Sequence, residues 1–305
     1  LSENELRLTF GPGLEAEKYP NPVITRSQAS CQSVEDPDLL INPFGDGWHY
    51  LEVTCYNKNG DGKPHSTLFR SKDFVNWEFF AEIRPYLKTA ALIDALASPW
   101  GKLVRYGGTE YRFIAFTEDG TYRMLFSNDL RNWVEYDLGR PAIGRSDETW
   151  ADLGDDQTAE IPAGGIFVPD GLLVLTCMST SEGYVGGDEA AIGTALMKPD
   201  RPWELLKRAT LPWGPLYHGA APTSGADLSL DNRSWCSGPN FPGCLVMGPD
   251  NWLYAFFGGN DQFGGVARTQ LVPEFEYREL TLNKMWAYEG DNVEATVTVR
   301  NVGNL

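Results

Sequence analysis

Residues 68–83 read LFRSKDFVNWEFFAEI, and residues 125–139 read LFSNDLRNWVEYDLG. Each carries Leu-Phe, a Ser-x-Asp step followed by Phe or Leu, a short polar step, Asn-Trp, and then alternating apolar residues. Trp77 and Trp133 stand 56 residues apart. Fainter copies follow, ALMKPDRPWELL around Trp203 and GVARTQLVPEFEYREL around Phe275. A recurrence of this kind marks a repeat architecture.

Working outward, each copy is preceded by a β-like run behind a turn: GDGWHYLEVTC, GGTEYRFIAFT, PDGLLVLTCMS and PDNWLYAFFGG. These runs are rich in aromatic and β-branched residues and open on Gly, Asp or Asn. A further apolar strand lies upstream of each: DPDLLIN, PWGKLVRY, AGGIFV and FPGCLVM. The unit is therefore a four-stranded antiparallel meander that recurs about every 60–75 residues. Such a sheet has two apolar faces and covers them by stacking radially on its neighbours. The spacing predicts an all-β fold, a five-bladed β-propeller of four-stranded antiparallel blades, with a four-bladed ring as the alternative. Residues 1–275 are assigned to the propeller. Residues 276–305 are read as closing strands or as the start of an appended β-sandwich, because GDNVEATVTVRNVGNL alternates strictly.

Composition bounds the partners. The chain has 305 residues, 42% hydrophobic, and a net charge of −17. Nucleic acid and anionic membranes are poor partners for such a charge. Neutral or cationic ligands remain, and the sequence leaves the oligomeric state open. No apolar run approaches the ~18 residues of a membrane helix. The opening on Leu1 fits a processed or trimmed chain. Among the five cysteines, Cys236 and Cys244 bracket a Gly/Pro loop that a disulfide would close, and Cys177 reads as a buried thiol. No CxxC pair or His/Cys cluster suggests zinc. No GxSxG elbow or P-loop occurs.

Three carboxylates crowd SVEDPDLLI at residues 33–41: Glu35, Asp36 and Asp38, with the apolar Leu39, Leu40 and Ile41 directly behind. If the strand is regular, Asp36 and Asp38 share a face. An Asp before proline also forms turns. Asp94 lies in LIDALASPWGK, and Glu160 in DDQTAEIPAGG beside Asp155 and Asp156. Trp77, Trp133 and Trp203 sit in the repeat turns and read as structural. NKNGDGKPH from Asn57 begins like a calcium loop, but Leu68 stands where the closing Glu belongs, so it reads as a long hairpin turn. His49 falls in a strand and His65 in a loop, neither with a metal-like partner.

The blade-opening DP, the DGxxYL-type turn, SxDxxxW and the prologue YPNPVITRS together resemble the five-bladed glycoside hydrolases of families 43 and 32 and the mannoside phosphorylases. The likeness covers roughly residues 19–272. It implies a central pocket lined by the inner strands, with a general base in the first-blade DP, a pKa-tuning carboxylate further round, and a general acid in a later EGP. Hydrolysis needs one group to protonate the leaving oxygen and one carboxylate to activate water or attack the sugar. Carried over, Asp36 matches the base. Blade four reads SGPNFPG, so Ser237 stands where the acid is expected, and serine is no general acid near neutral pH. Glu160, read as level with Asp36, becomes the replacement acid or tuning group, with Asp94 as a third carboxylate. Trp100 would stack on a sugar ring or pack between blades. Asn240 and Asp38 join it in the expected substrate-binding set. His218 joins as well, since a central His in similar arabinan-degrading enzymes helps hold calcium. No cofactor is required on this reading, a central Ca2+ is compatible with it, and no metal ligand is assigned. The expected partner is a carbohydrate, and the expected compartment is secreted or periplasmic. A catalytically silent propeller that binds glycan or protein is the competing expectation.

Overall fold

The alternation around the Asn-Trp copies folds into antiparallel strands. The computed structural model describes residues 24–86, 88–117, 123–143, 161–179, 190–208, 240–248, 252–259, 263–270, 275–282 and 295–301. In the first blade a short helix, α1 (Arg26–Ala29), leads into β1 (Ser33–Leu40), β2 (His49–Tyr56), β3 (Pro64–Ser71) and β4 (Glu78–Pro85). These strands form one sheet in chain order. The loop expected to hold His65 ends earlier, so His65 lies in β3.

The second blade begins with β5 (Thr89–Asp94) and continues, after an inserted hairpin of β6 (Val104–Tyr106) and β7 (Thr109–Tyr111), into β8 (Phe113–Thr117), β9 (Arg123–Ser127) and β10 (Val134–Asp137). PWGKLVRY is thus an arm of the insertion and not the inner strand. Gly107 and Gly108, at φ +58° and +87°, give its tight turn the left-handed backbone it needs. The true inner strand, TAALID, is buried on both faces: Ala91 and Ile93 pack toward the third blade and Leu92 toward the first. A strand covered on both sides loses the polar alternation that would advertise it.

The third blade is β11 (Ile161–Val168), β12 (Gly171–Ser179), β13 (Ala190–Met197) and β14 (Leu205–Arg208). The fourth sheet holds β15 (Asn240–Met247), β16 (Trp252–Gly259) and β17 (Phe263–Gln270). The fourth strand expected for it around Phe275, β18 (Phe275–Leu282), pairs instead with β19 (Ala295–Asn301). The expectation that both chain ends complete a fifth blade rests partly on residues 1–23, outside the described residues.

Sheets stack through apolar faces. Leu40, Tyr50, Leu68 and Phe80 of the first blade meet Leu92, Phe113, Ala115 and Leu125 of the second. Ile93, Phe116 and Phe126 meet Phe167, Val174 and Met197 of the third. Ile166, Val168 and Leu175 meet Leu245, Leu253 and Ala255 of the fourth. The inner strands β1, β5, β11 and β15 approach one another in turn, and β15 also approaches β1, so they surround a common axis as in a propeller. At Gly164 a Cβ would collide with the Gly243 carbonyl, so these two inner backbones meet only because no side chain intervenes. The outer face of the first blade is covered by Ile24 and Ala29, and Cys31 is disulfide-bonded to Cys55. The cysteine pairing is therefore not the one expected from loop spacing: Cys244 is a free thiol, and Cys236 and Cys177 offer no described side chain.

The decisive repeat is one turn built twice. Asp73 Oδ1 accepts the Val75 and Asn76 amides at 2.9 and 2.7 Å, and its Oδ2 accepts the Asn76 side-chain amide at 2.7 Å. Asp129 repeats the set with Arg131 and Asn132, at 2.9, 2.7 and 2.7 Å. Trp77 Nε1 donates to the Phe74 carbonyl and Trp133 Nε1 to that of Leu130. Phe74 and Leu130 both sit at φ 61°, a backbone that bulky residues adopt only where neighbours enforce it. The Asn76 and Val75 donors hold the Asp73 carboxyl far below the usual carboxylate range. Asp129→Ala strands several amide donors and is expected to lower the unfolding free energy by ~1–2 kcal/mol. Urea denaturation of the variant checks this, with the m-value unchanged.

Candidate functional site

Proline cannot donate to a ladder, and β1, β11 and β15 each carry one: Pro37, Pro162 and Pro242. At each of them the register breaks: between Glu35 and Asp38 in β1, Pro162 and Gly164 in β11, and Pro242 and Leu245 in β15. Strand β5 breaks likewise between Thr89 and Ala91. A bulge of this kind bends the strand and re-aims its side chains.

In β1 the consequence is decisive. Asp36 adopts φ +48°, although a residue before proline favours extended backbone. The strand is not regular, so Asp36 and Asp38 do not share a side. The Asp36 side chain is 51% exposed and lies 2.6 Å from Lys88 Nζ, which also stands 3.9 Å from Glu35. Ser33 Oγ donates to Glu35 at 2.8 Å. Asp38 is buried, and its Oδ2 accepts the Leu92 amide of β5 at 2.8 Å.

Beneath this lies a second carboxylate that the sequence reading misses. Glu52 stands directly opposite Asp38 in the β1–β2 ladder and is wholly buried. Its signal is a lone acid inside the apolar run YLEVTC, where β-propensity alone announces only a strand. Burial pushes the Asp38 carboxyl up to about 7; the Leu92 amide opposes this and the nearby Asp36 charge adds to it. Burial raises Glu52 well above the usual range, and Asp38 and Asp36 push it the same way. Ser66 and Lys88 offset this weakly. The Ser66 hydroxyl acts as a weak donor, yet neither Glu52 oxygen closes a hydrogen bond of normal geometry. Burial, with the field of Asp38, also drives the Cys244 thiol of β15 up to about 12, so it is no nucleophile.

The other expected residues divide. Asp94 ends β5 and is clamped by Arg112 at 2.8 and 2.7 Å while it accepts the Leu96 amide. Six residues of strand, roughly 20 Å, separate it from Lys88, so it does not meet Asp36. Trp100 packs on the third- and fourth-blade cluster of Ile166 and Leu245. Glu160, His218 and Ser237 lie outside the described residues, and only the backbone of Asn240 is described. Counted from the prolines, Ile161 and Phe241 take the place of Asp36, while Glu160 and Asn240 take that of Glu35. His65 lies between Asp61, at 2.6 Å, and Glu82, at 3.2 Å, while Lys58 also pairs with Glu82. Among the described residues no three His, Cys, Asp or Glu side chains converge as metal ligands, and no helix is long and apolar enough to cross a membrane.

No family model and no curated protein matches the sequence. Solved structures match its fold. A glycosyl hydrolase from Bacteroides ovatus superposes with a TM-score of 0.54 at 15% identity, over 83% of this chain and 69% of that one. A provisionally named glycosidase from Bacteroides thetaiotaomicron gives 0.55 at 18%, over 82% and 71%. A structure from the GH130 mannoside phosphorylase family, described as containing glycoside hydrolases that target β-1,2 mannosidic linkages in Candida mannan, gives 0.55 at 17%, over 83% and 69%. The chain shares the propeller fold of these enzymes.

The buried acids make stability depend on pH. Asp38 titrates higher folded than unfolded, so its contribution is full below about pH 4 and fades as pH climbs through about 7. A buried carboxyl raised this far contributes ~4 kcal/mol to that dependence. Asp38→Asn is expected to flatten the pH 4–7 arm of the stability curve, measured by chemical denaturation in metal-free buffer.

Proposed function

We propose that the chain is a carbohydrate-active propeller enzyme, a glycoside hydrolase that cuts a neutral oligo- or polysaccharide at the axial end marked by Asp36. One observation carries the reading. Asp36 is turned out to solvent by a bulge, in an outlying backbone conformation, with Lys88 holding its carboxylate 2.6 Å away. Backbone outliers of this kind cluster where function needs a fixed side chain. The shared fold with propeller glycosidases and mannoside phosphorylases supports the substrate class.

Asp36 acts as base or nucleophile. Its accessible oxygens reach a water or an anomeric carbon, and Lys88 fixes their direction. Glu160, which directly precedes β11 in the sequence, supplies the leaving-group proton. Separation of the two carboxyls sets retention or inversion. With a net charge of −17, the chain suits neutral glycans better than polyanionic ones. The Cys31–Cys55 disulfide supports a secreted or periplasmic setting, where such bonds persist.

A silent glycan-binding propeller is the second reading. Ser237 at the expected acid position and Ile161 and Phe241 at the level of Asp36 favour it. Turnover on a panel of plant and microbial glycans separates the two. Asp36→Asn is expected to lower kcat/KM by ~10²–10⁴-fold with melting temperature preserved, and Glu160→Gln to do the same. Full activity in Asp36→Asn removes the assignment, and saturable binding without turnover by the wild type establishes the second reading.

A further inference from the structure

Ionised carboxylates are not buried without compensation. The interface between the first two blades holds two acids, Asp38 and Glu52, and Glu52 has zero exposure and, among the described residues, only the weak Ser66 donor beside its oxygens. Opposite residues in an antiparallel pair place their Cβ atoms about 4.5–5.5 Å apart, close enough for two carboxylates to share one ion. Two further oxygens belong to the same patch. Thr54 follows Glu52 by two residues in β2, and Ser66 stands opposite Thr54 in β3. Leu51, Val53 and Cys55 of β2 face the α1 side, so Glu52 and Thr54 both face the second blade. Thr54 is fully buried, and its hydroxyl has no hydrogen-bond partner among the described residues.

We propose that Asp38, Glu52 and the Thr54 hydroxyl hold a hard divalent cation between the first and second blades, with the Ser66 oxygen within the same patch. The donor chemistry favours it. Every candidate ligand is oxygen, the set that Ca2+ and Mg2+ prefer, and two carboxylates match a charge of two. The remaining coordination falls to water. Charge balance points the same way: the neighbouring ammonium, Lys88, is committed to Asp36 and Glu35 and offsets Glu52 only weakly. The site lies at the β1–β2 ladder, on the side that faces β5. It uses only two acids, fewer than the three-acid clusters absent among the described residues, because a hydroxyl completes it. Its role is to pin β1 and β2 against β5, where Asp38 already holds the Leu92 amide.

The test uses the whole chain, stripped with a chelator and exchanged into metal-free buffer at pH 7. Addition of CaCl2 or MgCl2 is expected to raise the melting temperature by about 5 °C at saturation. Calorimetry should give one site per chain. Glu52→Gln abolishes the response, and Thr54→Val, which keeps the shape, weakens binding about tenfold. Three results overturn the proposal. One is no melting shift and no binding heat with either ion. Another is an equal shift in wild type and Glu52→Gln, which marks ions gathered on the acidic surface. The third is a melting temperature that rises from pH 7 to pH 4 but ignores both cations, which leaves the two acids sharing a proton. If Glu52→Gln does not fold, Thr54→Val binding as tightly as wild type overturns it equally.

Discussion

A single inserted residue in β1 governs the chemistry of this fold. Between Glu35 and Asp38 the strand gains one residue over β2. Without it, the alternation of a strand would send Asp36 and Asp38 to the same face. With it, Asp36 is expelled to solvent beside Lys88, and Asp38 is driven between blades against the Leu92 amide. Two acids with only Pro37 between them acquire opposite environments, which is how a protein separates the behaviour of like groups. The same break near the start of β5, β11 and β15 shows that the bulge belongs to the inner strand of the repeat.

Asp38 also answers a question that any propeller poses. An inner strand has a free edge along the axis, and its amides need acceptors. Asp38 takes the Leu92 amide, and Ser98 Oγ donates to the Phe167 carbonyl from the second blade to the third. Arg131 donates to the Phe80 carbonyl and covers its ring, so the repeat turn of the second blade is tied to the outer strand of the first. These polar links add direction to apolar stacking, which fixes distance between blades but not register.

The repeat was legible because its turn is a local device. Ser-x-Asp followed by Asn-Trp specifies its own hydrogen bonds within seven residues, so two copies announce two blades. What depends on contacts distant in sequence was hidden. The inserted hairpin took the place expected for the second inner strand because its glycine turn looks like any blade turn, while TAALID carries no alternation. Loop spacing favoured Cys236 with Cys244, but α1 brings Cys31 to Cys55. Of the acids in SVEDPDLLI, Asp36 was singled out by the resemblance of its DP step, and its exposure beside Lys88 was not readable. Nor was the burial of Asp38, because a bulge depends on pairing across strands. Lys88 had no signal at all: it comes to Asp36 only because β5 lies beside β1.

The two ends of the inner strands differ in a way that argues for where chemistry belongs. At the far end Asp94 is answered by both arms of Arg112 and by the Leu96 amide, and the Leu96 side chain lies exposed. A carboxylate so clamped and buried offers a substrate far less than an open one. At the near end one ammonium serves Glu35 and Asp36, and the carboxylate of Asp36 keeps half its surface open. An acid that is held in place yet incompletely satisfied has hydrogen-bonding capacity to offer a ligand. The imbalance therefore supports the proposed placement at the Asp36 end, and it does so from the charges themselves, independently of the likeness in fold.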